Sequence, residues 1–356
     1  MTTLSVAHLQ GRMALRIGDR ASIVVRPRAV AVTIVLSLLA AVAGCLALSV
    51  GDYVVPLPLV VGALLGSGEP DTVLVVQRLR LPRVIVGLLV GAAFGLAGAL
   101  TSAVVRNPLA TPDVVGVTAG ASAAAVGVIL LGWTVPLSAA ALAGGLLVAA
   151  VVAALSWRDG FSGPRLVLIG IALSACASSI TSFLLVRANI TDAQRAVVWL
   201  TGSLNGRGWE HVRPIATAVV VLTPLALVLG RRLSLLALGD DLAIALGTRV
   251  AAVRIGLVAV AVALAAIATA SAGPIAFVAL VAPQIALRLA RTPGPPLAAS
   301  AVAGALLVIT SDLVARNGLR VMGWSSSELP VGAVTAMVGA PMLLWLLQQS
   351  IRWRTT

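Results

Sequence analysis

The number of long stretches without a charged residue constrains this chain more than any other feature. Eight such stretches occur, at residues 29–51, 84–105, 114–157, 166–186, 214–230, 255–287, 292–311 and 329–351. Because an α-helix needs about 20 apolar residues to cross the ~30 Å hydrocarbon core of a bilayer, each stretch predicts at least one transmembrane helix. No water-soluble fold could bury so much apolar surface, since 60% of the residues are hydrophobic and only 10% are charged.

Two of the stretches, the third and the sixth, are too long for a single crossing. The third is interrupted between Gly132 and Pro136, and the sixth at Gly273 and Pro274. Gly and Pro interrupt helices, so we predict two crossings in each stretch and ten in total. The expected fold class is therefore an all-α membrane protein, with both termini on the same side of the membrane.

The distribution of arginine predicts which side that is. All 25 basic residues are Arg, and with a cytoplasmic N-terminus 16 of them fall in cytoplasmic segments and 9 in outer segments. This bias follows the positive-inside rule, so we expect cytoplasmic termini and a body in the inner membrane of a bacterium. It also accounts for the net charge of +13 without nucleic-acid binding.

The same count gives the domain organisation. We expect a cytoplasmic segment at residues 1–28, one transmembrane domain at residues 29–351 and a cytoplasmic tail at residues 352–356. The longest polar stretches, at residues 1–28, 52–83, 187–213 and 231–254, are each expected to hold at most one or two short helices. The chain therefore has no room for a soluble domain of its own.

The residue types exclude several functions. The chain contains no Lys, the residue with which a P-loop reaches nucleotide phosphates, so it cannot hydrolyse ATP at a Walker site. Two His and two Cys are too few and too scattered for a metal or redox site, and no G-x-S-x-G motif is present. We expect no enzyme activity, no cofactor and no resident metal, and any ATP hydrolysis must occur on a separate chain.

Polar segments at the ends of the stretches carry more specific information. Residues 78–83 contain three Arg, which suits docking of an acidic protein surface or an anionic ligand; anchoring to lipid headgroups is the alternative. Residues 106–112 contain two Pro and predict a fixed turn. Asp312, near the end of the ninth crossing, is expected to pair with Arg316 one helical turn later.

Residues 233–247 form an apolar segment that is too short to cross the bilayer. We predict a short helix, capped by Asp240 or Asp241 and ending at Gly247. Apolar helix surface on the cytoplasmic side indicates either a partner site or an interfacial helix, and we favour a partner.

At these segments the sequence resembles the iron-siderophore and cobalamin permease family, the membrane subunits of type II ABC importers. The resemblance runs from about residue 74 to residue 350. Its most specific parts are Leu79-Arg80-Leu81-Pro82-Arg83, Asn107-Pro108-Leu109-Ala110 followed by Gly116, Leu236-Ala237-Leu238-Gly239 through Leu246-Gly247, residues 273–283, Asp312-Leu313-Val314-Ala315-Arg316, and residues 328–335.

The resemblance implies a fold in which helices two to five and seven to ten form an inverted repeat. It implies that Arg80, Arg83 and Arg316 receive acidic residues of an extracytoplasmic substrate-binding protein, and that Asn107 and Leu109 lie at a cytoplasmic gate. A coupling segment at residues 231–250 would contact the ATPase subunit. Its proposed contact residues are Leu236, Leu238, Gly239, Asp240, Asp241, Ala245, Leu246 and Gly247.

The resemblance also implies partners and a cargo. Two permease subunits, identical or homologous, would enclose the path of a metal chelate, with ferric siderophore as the first expectation and cobalamin or haem as alternatives. An ATP-independent secondary carrier is the alternative from a different class. Three positions depart from the family pattern: Gln284 and Leu287 replace a frequent His and Arg, and Gly163-Pro164 replaces a frequent hydroxyl residue at the gate.

Overall fold

The computed structural model describes residues 4–9, 12–17, 21–51, 53–156, 163–321 and 328–352. Most of these residues belong to α-helices. They are α1 Pro27–Ser49, α2 Leu57–Leu64, α3 Pro70–Leu74, α4 Leu81–Val105, α5 Val117–Leu131, α6 Leu137–Ser156, α7 Gly163–Arg187, α8 Ile190–Leu200, α9 Trp209–Gly230, α10 Leu233–Leu236, α11 Asp240–Ala245, α12 Val250–Ala272, α13 Val278–Ala290, α14 Leu297–Val321 and α15 Val331–Arg352. A π-helix at Val75–Arg80 joins α3 to α4, and a 3-10 helix at Pro112–Val115 precedes α5.

Ten of these helical segments are apolar enough to count as crossings. Eight are also long enough to span a membrane: Pro27–Ser49, Pro70–Val105, Leu137–Ser156, Arg165–Arg187, Trp209–Gly230, Val250–Ala272, Leu297–Leu319 and Val331–Gln348. Two shorter apolar helices, α5 and α13, complete the set. The fold class and the order of the predicted helices are thereby confirmed for the described part of the chain, while α5 and α13 are shorter than a full crossing of the bilayer.

The predicted interruptions also lie where the helices end. Gly132 follows α5 with a φ of 64°, and Gly273 follows α12 with a φ of 78°. A left-handed residue ends a helix because its backbone cannot continue the right-handed hydrogen-bond ladder, and Gly adopts this conformation without strain. The chain then turns back into α6 and α13, so each long apolar stretch supplies two helices.

The N-terminal segment differs from the prediction. Three antiparallel strands, β1 Leu4–Leu9, β2 Arg12–Ile17 and β3 Ala21–Val25, form a sheet in the order β1-β2-β3. The expectation of at most short helices before α1 was therefore wrong. Its physical reason is visible in the composition, because β-branched and apolar residues dominate these segments, and Gly residues fall between β1 and β2 and between β2 and β3 in the sequence.

The segment before the second crossing also differs. Residues 78–83 were expected in a loop, but they belong to one continuous helical stretch, Pro70–Val105. The charge rule placed the start of the helix too late, because it counts Arg as a boundary even where a guanidinium is satisfied inside the protein. The tail at residues 352–356 lies, apart from Arg352, outside the described residues.

Helix α4 is the centre of the core and packs against α9, α12, α13 and α14. Its Leu96 and Leu100 are fully buried. At Gly91 and Gly95 the backbone of α4 lies so close to α14 that an added Cβ would collide with the carbonyl groups of Gly304 and Ser300. The small-residue spacing in the sequence therefore serves tight helix packing.

The two short helices occupy corresponding places in the two halves. Helix α5 is the second helix of the set two to five, and α13 is the second of the set seven to ten. Each begins after a residue in the left-handed conformation, Gly116 with a φ of 82° and Phe277 with a φ of 65°. This correspondence agrees with an internal repeat, and short interrupted helices in matching positions are typical of a substrate path.

Candidate functional site

A buried ion-pair network lies at the start of α4. The Arg83 guanidinium points at Asp312 of α14, with Nη2 2.9 Å and Nε 3.2 Å from Asp312 Oδ1. It also reaches Glu328, which precedes α15, at 3.3 Å from Nη1 to Oε1 and 3.0 Å from Nη2 to Oε2. Arg316 Nε lies 3.1 Å from Asp312 Oδ2, as its spacing predicts. Because the Asp312 side chain is completely buried, its charge is balanced inside the protein by two guanidinium groups.

Arg80 lies beside this network but is used differently. It is buried at the end of the π-helix, and its Nη1 donates to the carbonyl oxygens of Leu48 at 2.7 Å and Ser49 at 3.1 Å. Its Nη2 donates to the carbonyl of Tyr53. These bonds fix the end of α1 and the following loop onto α4. The expectation of Arg80 as a direct docking residue therefore does not fit, because its guanidinium is held below the surface by backbone acceptors.

A cavity of about 510 Å³ opens above the network. Among the residues that the structure describes, it is lined by five arginines, Arg78, Arg80, Arg83, Arg207 and Arg316, and by one acidic residue, Glu328. We call these five residues the arginine cluster. Arg78 is exposed, whereas Arg207 is half-buried. Burial lowers the pKa of the Arg207 guanidinium.

Two further contacts shape the rim of this cavity. Arg207 Nη1 lies 3.0 Å from His211 Nε2, which suits a neutral imidazole that accepts a hydrogen bond. Trp209 Nε1 donates to the carbonyl of Gln77 at 3.2 Å, so the turn that carries Arg207 is tied to the π-helix that carries Arg78. No sequence pattern singles out Arg207, because it lies more than 100 positions from the other members.

The opposite end of α4 carries the predicted gate turn. Arg106 ends the helix with a φ of 55°, and the Asn107 side chain then accepts a hydrogen bond from the Leu109 backbone N–H at 2.9 Å. Gln284 Nε2 of α13 donates to the carbonyl of Pro108 at 3.1 Å. Asn107 is exposed and Leu109 is half-buried. The departure from the family pattern at position 284 thus supplies a side chain that supports the turn.

The predicted coupling segment forms two short helices, α10 and α11, separated by Gly239 with a φ of 107°. Leu236 and Ala243 are buried against the body. Four large apolar side chains of this segment are at least half exposed: Leu238, Leu242, Ile244 and Leu246. An apolar surface of this kind is typical of a partner site.

The capping prediction for this segment was wrong. Gly239, and neither Asp240 nor Asp241, is the N-cap of α11, and Leu246 is its C-cap. The Asp240 carboxylate is used in ion pairs instead. Arg254 Nη2 lies 2.7 Å and Arg106 Nη2 lies 3.1 Å from Asp240 Oδ1, and Arg106 also donates to the carbonyl of Leu236. We call Arg106, Asp240 and Arg254 the Asp240 cluster; it connects the gate turn to the two short helices.

Between these two ends lies a smaller cavity of about 350 Å³, lined mainly by apolar groups. Phe94 of α4, Ile275 and Ala333 contribute to its wall, together with Asp113 and Thr118 at the start of α5. Asp113 accepts a hydrogen bond from the Thr118 hydroxyl, and its side chain is exposed toward this cavity. Desolvation by the protein around the cavity raises the pKa of the carboxyl group. The sequence reasoning missed Asp113, since it borders the uncharged stretch that begins at residue 114.

Among the described residues, no group of three or more His, Cys, Asp or Glu is placed to hold a metal ion.

Comparison with known proteins gives a consistent result. The sequence model of the FecCD transport family matches residues 9–349. The ferric enterobactin transport permease FepG of Escherichia coli is 39% identical over 87% of this chain and 93% of its own length. The ferric dicitrate transport permease FecD of the same organism is 39% identical over 89% of this chain and 98% of its own length.

The fold agrees with a solved structure. A metal-chelate type ABC transporter in an inward-facing conformation superposes with a TM-score of 0.79 and 28% sequence identity. The match covers 90% of this chain and 99% of the other. The similarity therefore extends over the transmembrane domain as a whole.

Proposed function

The chain belongs to the FecCD transport family, and from that premise we propose that it is the permease subunit of an ABC importer for a metal chelate, with ferric siderophore as the cargo. The observation that carries the proposal is the contrast between the two ends of α4. One end presents an arginine-lined cavity, and the other presents two short helices with exposed apolar side chains. A passive carrier needs neither surface, whereas a permease fed and driven by other proteins needs both.

The arginine cluster suits the docking of an extracytoplasmic substrate-binding protein. Arg83 and Arg316 hold the floor of the cavity, and Arg78 and Arg207 carry positive charge at its rim. Guanidinium groups bind carboxylates through two parallel hydrogen bonds, so an acidic surface is the complementary partner. Arg80 contributes indirectly, because it fixes the loop that forms one wall.

The two short helices suit a cleft in a cytoplasmic ATPase subunit. Leu238 and Leu246 offer apolar contact area, and Gly239, Asp241, Ala245 and Gly247 lie beside them on the surface. Arg106 connects these helices to the turn at Asn107 and Leu109 through Leu236 and Asp240. A displacement of α10 and α11 would therefore act directly on the gate turn.

The membrane orientation follows from the same assignment. The coupling helices and both termini face the cytoplasm, and the arginine cluster faces outward, in agreement with the bias of 16 to 9 in arginine. A second permease subunit, identical or homologous, completes the path along the central cavity.

The experiment uses the permease co-expressed with the ATPase subunit of its importer. The double substitution Leu238→Ser with Ile244→Ser removes exposed apolar surface from the coupling helices, so co-purification of the ATPase is expected to fall by at least about tenfold. Leu65→Ser is the matched control, because Leu65 is equally apolar and 81% exposed but lies at the other end of the molecule. Its complex should remain intact.

The alternatives predict different results in reconstituted vesicles. Uptake of ferric chelate that requires the ATPase, ATP and a binding protein supports the importer. Uptake by the permease alone would select the secondary carrier. If cobalamin or haem enters under the same conditions and ferric siderophores do not, the class of the protein stands and its cargo changes.

A further inference from the structure

The Arg83 guanidinium has no free edge at which an incoming carboxylate could bind through two hydrogen bonds. Its Nε–Nη2 edge is bound to Asp312, and its Nη1–Nη2 edge is bound to Glu328. An acidic side chain of a docking protein can therefore form a bidentate pair with Arg83 only if one of these two carboxylates leaves.

The two carboxylates differ in how easily they can be displaced. Asp312 is completely buried and also pairs with Arg316, so its removal would leave two buried guanidinium groups without their counter-charge. The Glu328 side chain is 33% exposed, and its ion pair among the described residues is with Arg83. Burial and charge balance therefore select Glu328 as the group that can be exchanged.

The surroundings of Glu328 provide room for such an exchange. Glu328 and Arg83 both line the 510 Å³ cavity, and Arg78 and Arg207 on the same cavity attract a negative group toward it. The backbone after Glu328 is anchored, because Leu329 N donates to the carbonyl of Ala315 at 3.0 Å. The side chain can thus leave Arg83 by rotation while the start of α15 stays in place.

We propose that Glu328 is a built-in competitor for docking, whose carboxylate occupies the position on Arg83 that an acidic residue of the docking protein takes. This inference rests on the proposed function. Glu328 then sets the strength of docking, because the incoming carboxylate gains a pair with Arg83 only when the existing pair between Arg83 and Glu328 is lost. The free energy of binding is reduced accordingly. A loose complex lets the binding protein leave after delivery.

The test measures binding of the importer's own substrate-binding protein to the permease–ATPase complex in nanodiscs by surface plasmon resonance. Glu328→Gln keeps the shape of the side chain and removes its charge, so the dissociation constant is expected to fall by about tenfold. Glu69→Gln is the matched control, because Glu69 is an exposed acid that precedes α3 in the same half of the molecule. It changes the net charge equally and should alter the constant by less than about twofold.

The possible outcomes separate this inference from the proposed function. Suppose that wild-type permease binds and that Arg83→Gln abolishes binding. If Glu328→Gln then behaves like Glu69→Gln or binds more weakly, docking at Arg83 stands and the competitor role of Glu328 is overturned. If Arg83→Gln binds like the wild type, docking at Arg83 and the competitor role are both overturned. If the wild type does not bind any substrate-binding protein, the proposed function fails. Glu328→Asp, whose shorter side chain reaches Arg83 poorly, should also bind more tightly and serves where Glu328→Gln folds poorly.

Discussion

Two groups of arginine–carboxylate pairs lie at opposite ends of α4, about 35 Å apart along the helix. At one end Asp312 is completely buried between Arg83 and Arg316. At the other end Asp240, which pairs with Arg106 and Arg254, is 43% exposed. The same chemistry therefore serves two purposes. The buried network fixes three helix ends to one another, whereas the exposed cluster orients a small surface element on the body.

The difference in burial decides how much each pair contributes. When a carboxylate is buried, its ion pairs and hydrogen bonds must offset the free energy of hydration that it loses. Removal of one member of a buried network is therefore costly in stability. An exposed pair is already stabilised by water and contributes little. Substitution at the Arg83 end is therefore expected to destabilise the fold, whereas the Asp240 end is expected to tolerate substitution.

The largest expected effect is at Asp312. Asp312→Asn leaves the guanidinium groups of Arg83 and Arg316 buried with one acid fewer, so the free energy of unfolding is expected to fall by about 3–5 kcal/mol. The unfolding midpoint of the purified permease in detergent checks this expectation.

A matched control for this substitution is Asp241→Asn. Asp241 is exposed, and no ion pair is recorded for it among the described residues. Its midpoint should equal that of the wild type. Equal midpoints for both variants would contradict the assignment of a structural role to the buried network.

Much of this architecture could be predicted from the sequence, whereas contacts between distant parts of the chain could not. The ten crossings follow from uncharged stretches and their Gly and Pro interruptions, and the pair Asp312–Arg316 follows from spacing within one helix. The partners of Arg83 could not be predicted, because Asp312 and Glu328 lie 229 and 245 positions away. Local rules describe helices well, but they do not show which distant acids let an arginine lie inside the protein.

The same limitation explains the error at residues 78–83. Three Arg in six positions indicated a loop, since charged residues usually lie outside the part of a helix that crosses the bilayer. In the folded chain Arg80 is satisfied by the carbonyls of Leu48 and Ser49, so the helix continues through it. Docking at these arginines stays a prediction, and the sequence pattern could not show that Arg80 is buried while Arg78 is exposed.

The second prediction concerns salt and compares the two partner surfaces. The proposed docking at the arginine cluster would depend on charge, so raising sodium chloride from 0.1 M to 0.5 M is expected to weaken binding of the substrate-binding protein by about tenfold. The proposed association of the ATPase would depend on apolar contacts such as Leu238 and should change by less than about twofold. Both constants are measured on the same preparation. An equal salt dependence at the two ends would contradict the division proposed here.

The third prediction is a smaller effect at the Asp240 cluster. Asp240→Asn weakens the pairs to Arg106 and Arg254, and because the carboxylate is 43% exposed the loss of stability is expected to stay below about 1 kcal/mol. A double-mutant cycle with Arg254→Gln measures the coupling energy, and a parallel cycle with Asp312→Asn and Arg316→Gln should give a clearly larger value. A coupling at Asp240 as large as at Asp312 would show that burial does not distinguish the clusters.

The smallest effect is expected at Asp113, whose charge is not balanced by an ion pair with any residue that the structure describes. Asp113 is exposed toward the cavity of about 350 Å³, but the protein around that cavity desolvates its carboxyl group and raises the pKa above the ordinary value, so the folded protein binds this proton more readily than the unfolded chain. Stability linked to this group is therefore highest at low pH and decreases as the pH rises through the raised pKa. Asp113→Asn removes that dependence while keeping an acceptor for Thr118. Its midpoint should match the wild type at pH 4 and exceed it slightly at pH 8, whereas a lower midpoint at pH 8 would mean that a cation pairs with Asp113 after all.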